Sequence, residues 1–287
     1  RFLGGRRDED DPVVHGFVSF IAAISVLGLS LGVTALLVVT SVMNGFEKEL
    51  QKSLTAFHAH IMMFSRSEPL DHPEHYVDEI RKGFPSVTAV SPYLFGEVML
   101  AGKGGVAGSV IEGIDGKTFG DVSKIPDRVT GGRLPRARAA TAADDTPFEI
   151  TLGIEVARKL RVAVGDNVMM TVPFLSGGKS VAARTKVVGL VKIGMYDYDS
   201  KYALMELADF QKVLGVEGKV NAFKILTADG DKSLQVTQAL NDKYVYPLRA
   251  RDWSSLNRNL FSAIKLEKAV IAIILMVIIL VASFNVV

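Results

Sequence analysis

Several short stretches carry residue types that chemistry could use. Gly28-Leu29-Ser30-Leu31-Gly32 has the G-x-S-x-G spacing of a serine nucleophile. Such a serine needs a strand, a sharp turn and a helix to lift its hydroxyl clear of the chain. Gly178-Lys179-Ser180 ends like a phosphate-binding loop, but the first glycine of that loop would fall where Pro173 stands. His58 and His60 could share one face of a strand, and His72 and His75 stand three apart. With no cysteine and no converging carboxylate, surface or packing histidines are a simpler reading than a metal site. Tyr196-Asp197-Tyr198-Asp199 reads as a turn ahead of a strand. No constellation calls for an enzyme: no catalytic residue, metal ligand or bound cofactor is expected.

The elements around these residues decide most of this. Gly28 to Gly32 lies within Phe17–Met43, which carries no ionisable side chain. A helix of about 27 residues at about 1.5 Å per residue spans roughly 40 Å, more than the roughly 30 Å of bilayer hydrocarbon. The serine therefore sits in a membrane helix and not on an elbow. A second apolar run covers Ala269 to Val287. The roughly 220 residues between the runs are mixed in character and fit one large domain or two small ones. The net charge of +2 gives no reason to expect a nucleic-acid partner, and the absence of cysteine excludes disulfides.

The first run is not a cleavable signal, because Asn44-Gly45-Phe46-Glu47 follows it in place of a small-residue cleavage site. Arg1, Arg6 and Arg7 favour a cytoplasmic N-terminus. Arg249, Arg251, Arg258, Lys265 and Lys268 precede the second run, on the side that would then lie outside. Long domains cross membranes largely regardless of charge, so charge alone leaves the orientation open.

Periodicity fills in the rest. Ser25, Gly28, Gly32 and Ala35 put small residues on one face of the first span, suited to close helix packing. Phe46, Leu50, Leu54 and Phe57 continue the helix as an amphipathic stalk. A strand over His58–Phe64, a helix capped by Asp71 and ending near Lys82, and a strand over Val87–Leu94 follow. The same order returns in the strand Asn221–Thr227, the helix Lys232–Lys243 and the strand Val245–Arg249. Two such units flanking an insertion predict a split βαβ, ferredoxin-like subdomain.

The insertion, Phe95 to Val216, is β-rich. A hairpin turns at Gly102-Lys103-Gly104-Gly105, and Ile150–Gly153 leads into a short helix, Ile154–Leu160. Further strands are expected at Asn167–Val172, Arg184–Val191 and Tyr202–Met205, and 137–145 reads as a loop. Asp252 or Ser254 can cap a last helix whose face carries Leu256, Leu260, Ile264 and Lys268. Continuous with the second span, it can transmit motion or serve as an inert tether.

The fold expected is thus a membrane protein with transmembrane helices flanking an α+β periplasmic domain. Its parts are a cytoplasmic segment (1–16), span one (17–45), a stalk (46–57), a porter-like subdomain (58–94 and 217–251), a β-rich insertion (95–216), a second stalk (252–268) and span two (269–287).

Four stretches go further. Met43-Asn44-Gly45-Phe46-Glu47, Ile150-Thr151-Leu152-Gly153 with Val164-Gly165-Asp166, Gly194-Met195-Tyr196-Asp197-Tyr198-Asp199, and the run from Arg251 to Val287 appear in that order. Together they resemble the lipoprotein-releasing ABC transporter permeases, a LolC/LolE-type family within the MacB-like superfamily. The resemblance implies a multi-pass inner-membrane subunit that lifts lipoproteins from the outer leaflet to a periplasmic carrier. It also implies a second permease subunit, the same or related, and a dimer of cytoplasmic ATPase subunits that hold the ATP and Mg. The family has four spans and this chain reaches two, so it is read as part of a permease. The family's carrier-docking hook corresponds to Val172–Lys179, with Pro173, Phe174 and Leu175 as contact residues; it is short here and lacks a closing proline.

Extracting acyl chains requires apolar surface where spans become stalks. Each buried CH₂ is worth about 0.8 kcal/mol, so the three chains of a lipoprotein involve several tens of kcal/mol. Val39, Met43, Phe46 and Leu50 on the first helix, and Leu260, Ile264 and Ile271 on the second, stand at that level as a lipid-contacting stripe. They can equally be helix packing. Two rival readings share the topology: a MacB-like efflux or export permease, and a two-span sensor with an external ligand-binding domain.

Overall fold

The computed structural model describes residues 12–139, 141, 143, 145–175, 179–256 and 258–284. No proline interrupts the chain after Pro12 until Pro69. Span and stalk accordingly form one helix, α1 (Pro12–His58), of 47 residues. It ends where Ala59 takes a left-handed conformation, φ 60°. The strand expected from His58 therefore begins three residues later, as β1 (Ile61–Ser65). The next helix, α2 (Pro73–Gly83), is not capped by Asp71. His72 precedes it without a side-chain bond, and Pro73 supplies a pre-set φ at the first position. Asp71 instead pairs with Lys219 at 3.1 Å.

The elements that follow are β2 (Val87–Gly102), β3 (Gly105–Ile114), α3 (Phe119–Val122), β4 (Val129–Gly132), β5 (Phe148–Gly153), α4 (Ile154–Leu160), β6 (Asn167–Leu175), β7 (Lys179–Val191), α5 (Tyr196–Asp199), β8 (Tyr202–Glu206) and α6 (Leu207–Leu214). Then come β9 (Ala222–Thr227), α7 (Ser233–Lys243), β10 (Leu248–Asp252), α8 (Trp253–Leu256) and α9 (Arg258–Phe284). The last strand starts later than Val245, where the sequence reading placed it. The helix α6 falls inside the stretch read as β-rich. Its signals are local: the Glu206 carboxylate accepts from the Ala208 N–H at its start, and Gly215 turns left-handed at its end.

By contacts the chain divides into two compact units, Arg1–Gln51 with Asn257–Val287, and Lys52–Leu256. In the second unit, strands run in the order β10-β1-β9-β2, each antiparallel to its neighbour. With α2 and α7 as crossovers this is the split βαβ arrangement. Its core sets Ile61, Met63, Phe223 and Ile225 against Ile80 and Leu240.

β2 does not stop at Leu94. Its first half pairs with β9 and its second half with β3, so one 16-residue strand serves both halves of the domain. Beyond it, β2, β3, β8, β5, β7 and β6 pair in turn, and β6 pairs back onto β2 to close a ring. Closure leaves the ring without a lateral edge and encloses a second core, with Leu100, Ile111, Ile150, Leu152, Met170, Val187 and Met205 all buried. Two of these pairings, β3–β8 and β5–β7, are parallel, which makes the sheet mixed. Leu207, on α6, packs against both cores.

Candidate functional site

The residues with chemical potential are placed in structural roles. Ser30 and its flanking glycines lie within α1. His60 is half-buried, with Nδ1 2.8 Å from Thr227 Oγ1; burial lowers its pKa, partly opposed by the Thr227 backbone and by Asp229 and Asp231. His72 and His75 are exposed beside Glu74 and Glu79. Among the described residues no group of His, Asp and Glu is arranged to hold a metal ion. A cleft of about 500 Å³ is lined by Gly108, Glu155, Arg158, Tyr196, Asp197 and Lys201. Arg158 there is already paired with Glu155.

The motif stretches explain themselves physically. Gly153 ends β5 against α5: a Cβ there would stand 2.4 Å from the Asp199 carbonyl oxygen. Asp199 is buried and accepts from the N–H groups of Ile193, at 2.7 Å, and Gly194, at 3.1 Å. Two of the stretches are thus halves of one contact. Gly165 has φ +100°, and Asp166 accepts from the Ala163 N–H at 2.9 Å and from Lys103 at 2.7 Å.

The most enclosed charged pair among the described residues lies in the second unit. Lys224 of β9 and Glu112 of β3 approach to 2.5 Å, with side chains 1% and 5% exposed. The ammonium stands 5.3 Å from the centre of the Tyr93 ring and 5.2 Å from that of Phe119. Burial raises the Glu112 pKa, with Lys224 opposing, and raises that of Tyr93 further, with Glu112 adding to the effect.

The first unit holds the stripe that could meet lipid. On α1, Gly32 is buried and Ala35, Leu36, Val39, Met43, Glu47 and Leu50 are half-buried, at helical spacing. On α9 the matching face carries Phe261, Ile264, Lys268, Ile271, Leu275 and Ile279. A Cβ on Gly32 would stand 3.4 Å from Ile279, while Glu47 meets Lys268, so the two helices pack antiparallel along one seam. Lys268 also donates to Asn44 Oδ1 at 2.9 Å.

Of the seven stripe residues, Val39, Met43, Leu50 and Ile271 border the seam, and Phe46 is 52% exposed. Ile264 is only 4% exposed, so in this state it packs and cannot be offered to lipid. The small-residue face also divides. Gly32 makes a close approach, whereas no described atom lies within 4 Å of where a Gly28 Cβ would be. The side chains of Ser25 and Leu260 lie outside the described residues, as do 285–287 of the second apolar run. Among the described residues one helix, Val26–Leu50, is long and apolar enough to cross a membrane.

β6 and β7 pair antiparallel out to Leu175 and Lys179. Pro173 is half-buried; the side chains of Phe174 and Leu175 and residues 176–178 lie outside the described set. Sequence reasoning missed the Lys224–Glu112 pair and the Asn44–Glu47–Lys268 cluster, since nothing in local spacing links residues so far apart.

The chain is 34% identical over 284 residues to the lipoprotein-releasing system transmembrane protein LolC of Neisseria meningitidis serogroup B, covering 95% of this chain and 65% of that protein. It is 24% identical over 279 residues to the corresponding LolE of Haemophilus influenzae, covering 94% and 65%. It thus spans about 65% of the length of these relatives. The periplasmic region of MacB from Actinobacillus actinomycetemcomitans aligns with a TM-score of 0.43 at 10% identity, over 71% of this chain and 94% of that one. The family model of the MacB-like periplasmic core domain matches residues 22–243, and the chain belongs to that family.

Proposed function

We propose that this chain is the part of an ABC transporter permease that carries its outer domain, and that the transporter releases lipoproteins from the inner membrane. The single observation that supports this best is the 34% identity that runs through 95% of the chain to a relative named for that system. In this reading α1 and α9 are the first two spans, and the mixed-sheet domain between them is periplasmic. ATP is hydrolysed in a separate cytoplasmic subunit pair; a second permease subunit completes the membrane part. The chain does no bond chemistry of its own. The half-exposed border of the seam, at Val39, Met43, Leu50 and Ile271, together with exposed Phe46, offers acyl chains apolar and partly methionine surface that tolerates variable occupants. Leu260 belongs to the same stripe, and the 172–184 stretch, through Pro173, Phe174 and Leu175, is where a carrier would touch.

The test is purification of the full-length protein from membranes, with mass spectrometry of what accompanies it. An ABC ATPase together with acylated lipoprotein is the expected result. An ATPase accompanied by an outer-membrane channel or a small-molecule efflux adaptor would move the reading to a MacB-like exporter, and a kinase to a sensor. Topology is checked separately with single cysteines at exposed Ser67 and Ser86. Both should react with an impermeant thiol reagent in cells whose inner membrane is intact.

A further inference from the structure

Two helices side by side in lipid gain little from hydrophobic association, because lipid tails are as apolar as their own side chains. Close packing and polar contacts must hold them. The described seam has one of each. Gly32 lets α1 approach Ile279 near one end. Fifteen residues along, about 22 Å at about 1.5 Å per residue, Lys268 reaches across to both Glu47 and Asn44.

We propose that Asn44, Glu47 and Lys268 are positioning residues: a polar clasp that fixes α1 against α9 in register, so that the two helices travel as one strut and do not part during the transport cycle. Asn44 and Glu47 are three apart and so lie on one helix face. One ammonium, with three donors, serves both of them. Lys268 and Glu47 are 28% and 33% exposed, so the contact is partly withdrawn from water. A partly buried charge pair is screened much less than one in open water, which favours keeping this contact closed.

The clasp also lies within the apolar stripe. Met43 is a turn before Glu47 and Leu50 nearly a turn after it; Ile264 and Ile271 lie about a turn to either side of Lys268. Its closure therefore sets the spacing of the stripe's two halves. Lipid then meets the rim of a fixed seam, not an opening between the helices. The role given to the rim and the clasp's part in the transport cycle rest on the proposed permease function; the clasp as a contact between the two helices does not.

The test uses the full-length permease with its ATPase in membranes. The 287 residues contain no cysteine, so introduced ones are the only thiols in this part of the chain. A reporter pair, Gly32→Cys with Ile279→Cys, reads helix register by cross-linking. Glu47→Lys alone or Lys268→Glu alone should lower both reporter yield and lipoprotein release by about tenfold, the scale of one lost polar contact between membrane helices. The double exchange should restore both. In a second variant, Asn44→Cys with Lys268→Cys, a short bifunctional thiol reagent replaces the clasp with a covalent bridge. Release should return in the bridged form.

Reporter yield unchanged in the single reversals would show that the clasp does not hold the helices. No release from the bridged form, although the double exchange restores both readouts, would show that the helices must part, and either result overturns the proposal. If the parent transporter releases no lipoprotein while reporter yield follows the charge pattern, the functional reading fails and the clasp stands.

Discussion

Removing the ammonium at Lys224 tests the mixed-sheet domain at its most enclosed described charge. Lys224→Met keeps an unbranched stem between the Tyr93 and Phe119 rings and deletes only the cation. Glu112, 5% exposed, is then left without its cation. It can stay charged, at the several kcal/mol of an unpaired buried ion, or take up a proton. Protonation sets the lower of the two costs. A solution at pH 7 lies about 2.5 pH units above the ordinary 4.5 of this carboxyl, and at about 1.4 kcal/mol per unit protonating it costs roughly 3 kcal/mol.

The sign follows from linkage. A carboxyl whose folded pKa is raised favours the folded state fully below its ordinary value, and that stability is lost as pH rises toward the folded pKa. The deficit of Lys224→Met should therefore be about 3 kcal/mol at pH 7 and under about 1 kcal/mol at pH 5. Trp253, the single tryptophan, lies in the same unit with its indole N–H donating to the Gly230 carbonyl, so its fluorescence during urea unfolding provides the assay. The deficit of Lys224→Met with Glu112→Gln, taken against the parent at the same pH, should be nearly independent of pH across this range. A single-variant deficit equal at pH 5 and pH 7, or a double-variant deficit that still changes with pH, would refute the account.

Gly32→Leu should lower thermal stability of the detergent-solubilised protein by about 1–3 kcal/mol through overpacking against Ile279, while Gly28→Leu should match the parent. Gly153→Ala forces the Asp199 carbonyl away from 2.4 Å and should unfold the domain at lower urea, by at least about 2 kcal/mol, with Asp199→Ala costing a similar amount through two orphaned N–H groups. His60, with its pKa lowered by burial, contributes stability that is complete above its ordinary 6.5 and lost as pH falls below that value. Urea midpoints of His60→Gln should therefore fall less than the parent's between pH 7 and pH 5.5.

Much of the fold is legible in the sequence itself. Apolar runs without charge and without proline dictate long helices: the one at Phe17–Met43 lies within α1, and the second, as far as Phe284, lies within α9. Paired strand–helix–strand units predicted a split βαβ subdomain, because period-two and period-3.6 patterns are written in neighbouring residues; the order β10-β1-β9-β2 came from the fold. The glycine-rich turn at Gly102–Gly105 named its own hairpin. Errors at strand and helix ends came from single backbone choices, such as left-handed Ala59 and His72, that propensity does not specify. The helix α6 was missed although Glu206 and Gly215 marked both of its ends.

Contacts between distant residues were decided only in three dimensions. Sequence reading divided the domain at Leu94, yet β2 runs straight through, because its second half finds β3 and β6 as partners beyond the reach of local pattern. Glu112 and Lys224 look like ordinary surface charges until β2 brings β3 and β9 close enough to bury them. Asn44 and Glu47 read as the polar end of a span; only antiparallel packing of α1 and α9 brings Lys268 to both. Helices, strands and turns are set by neighbours within a few residues, so the sequence alone determined which elements form. Pairing between charges more than a hundred residues apart depends on which surfaces the fold presses together, and that was left to the tertiary structure.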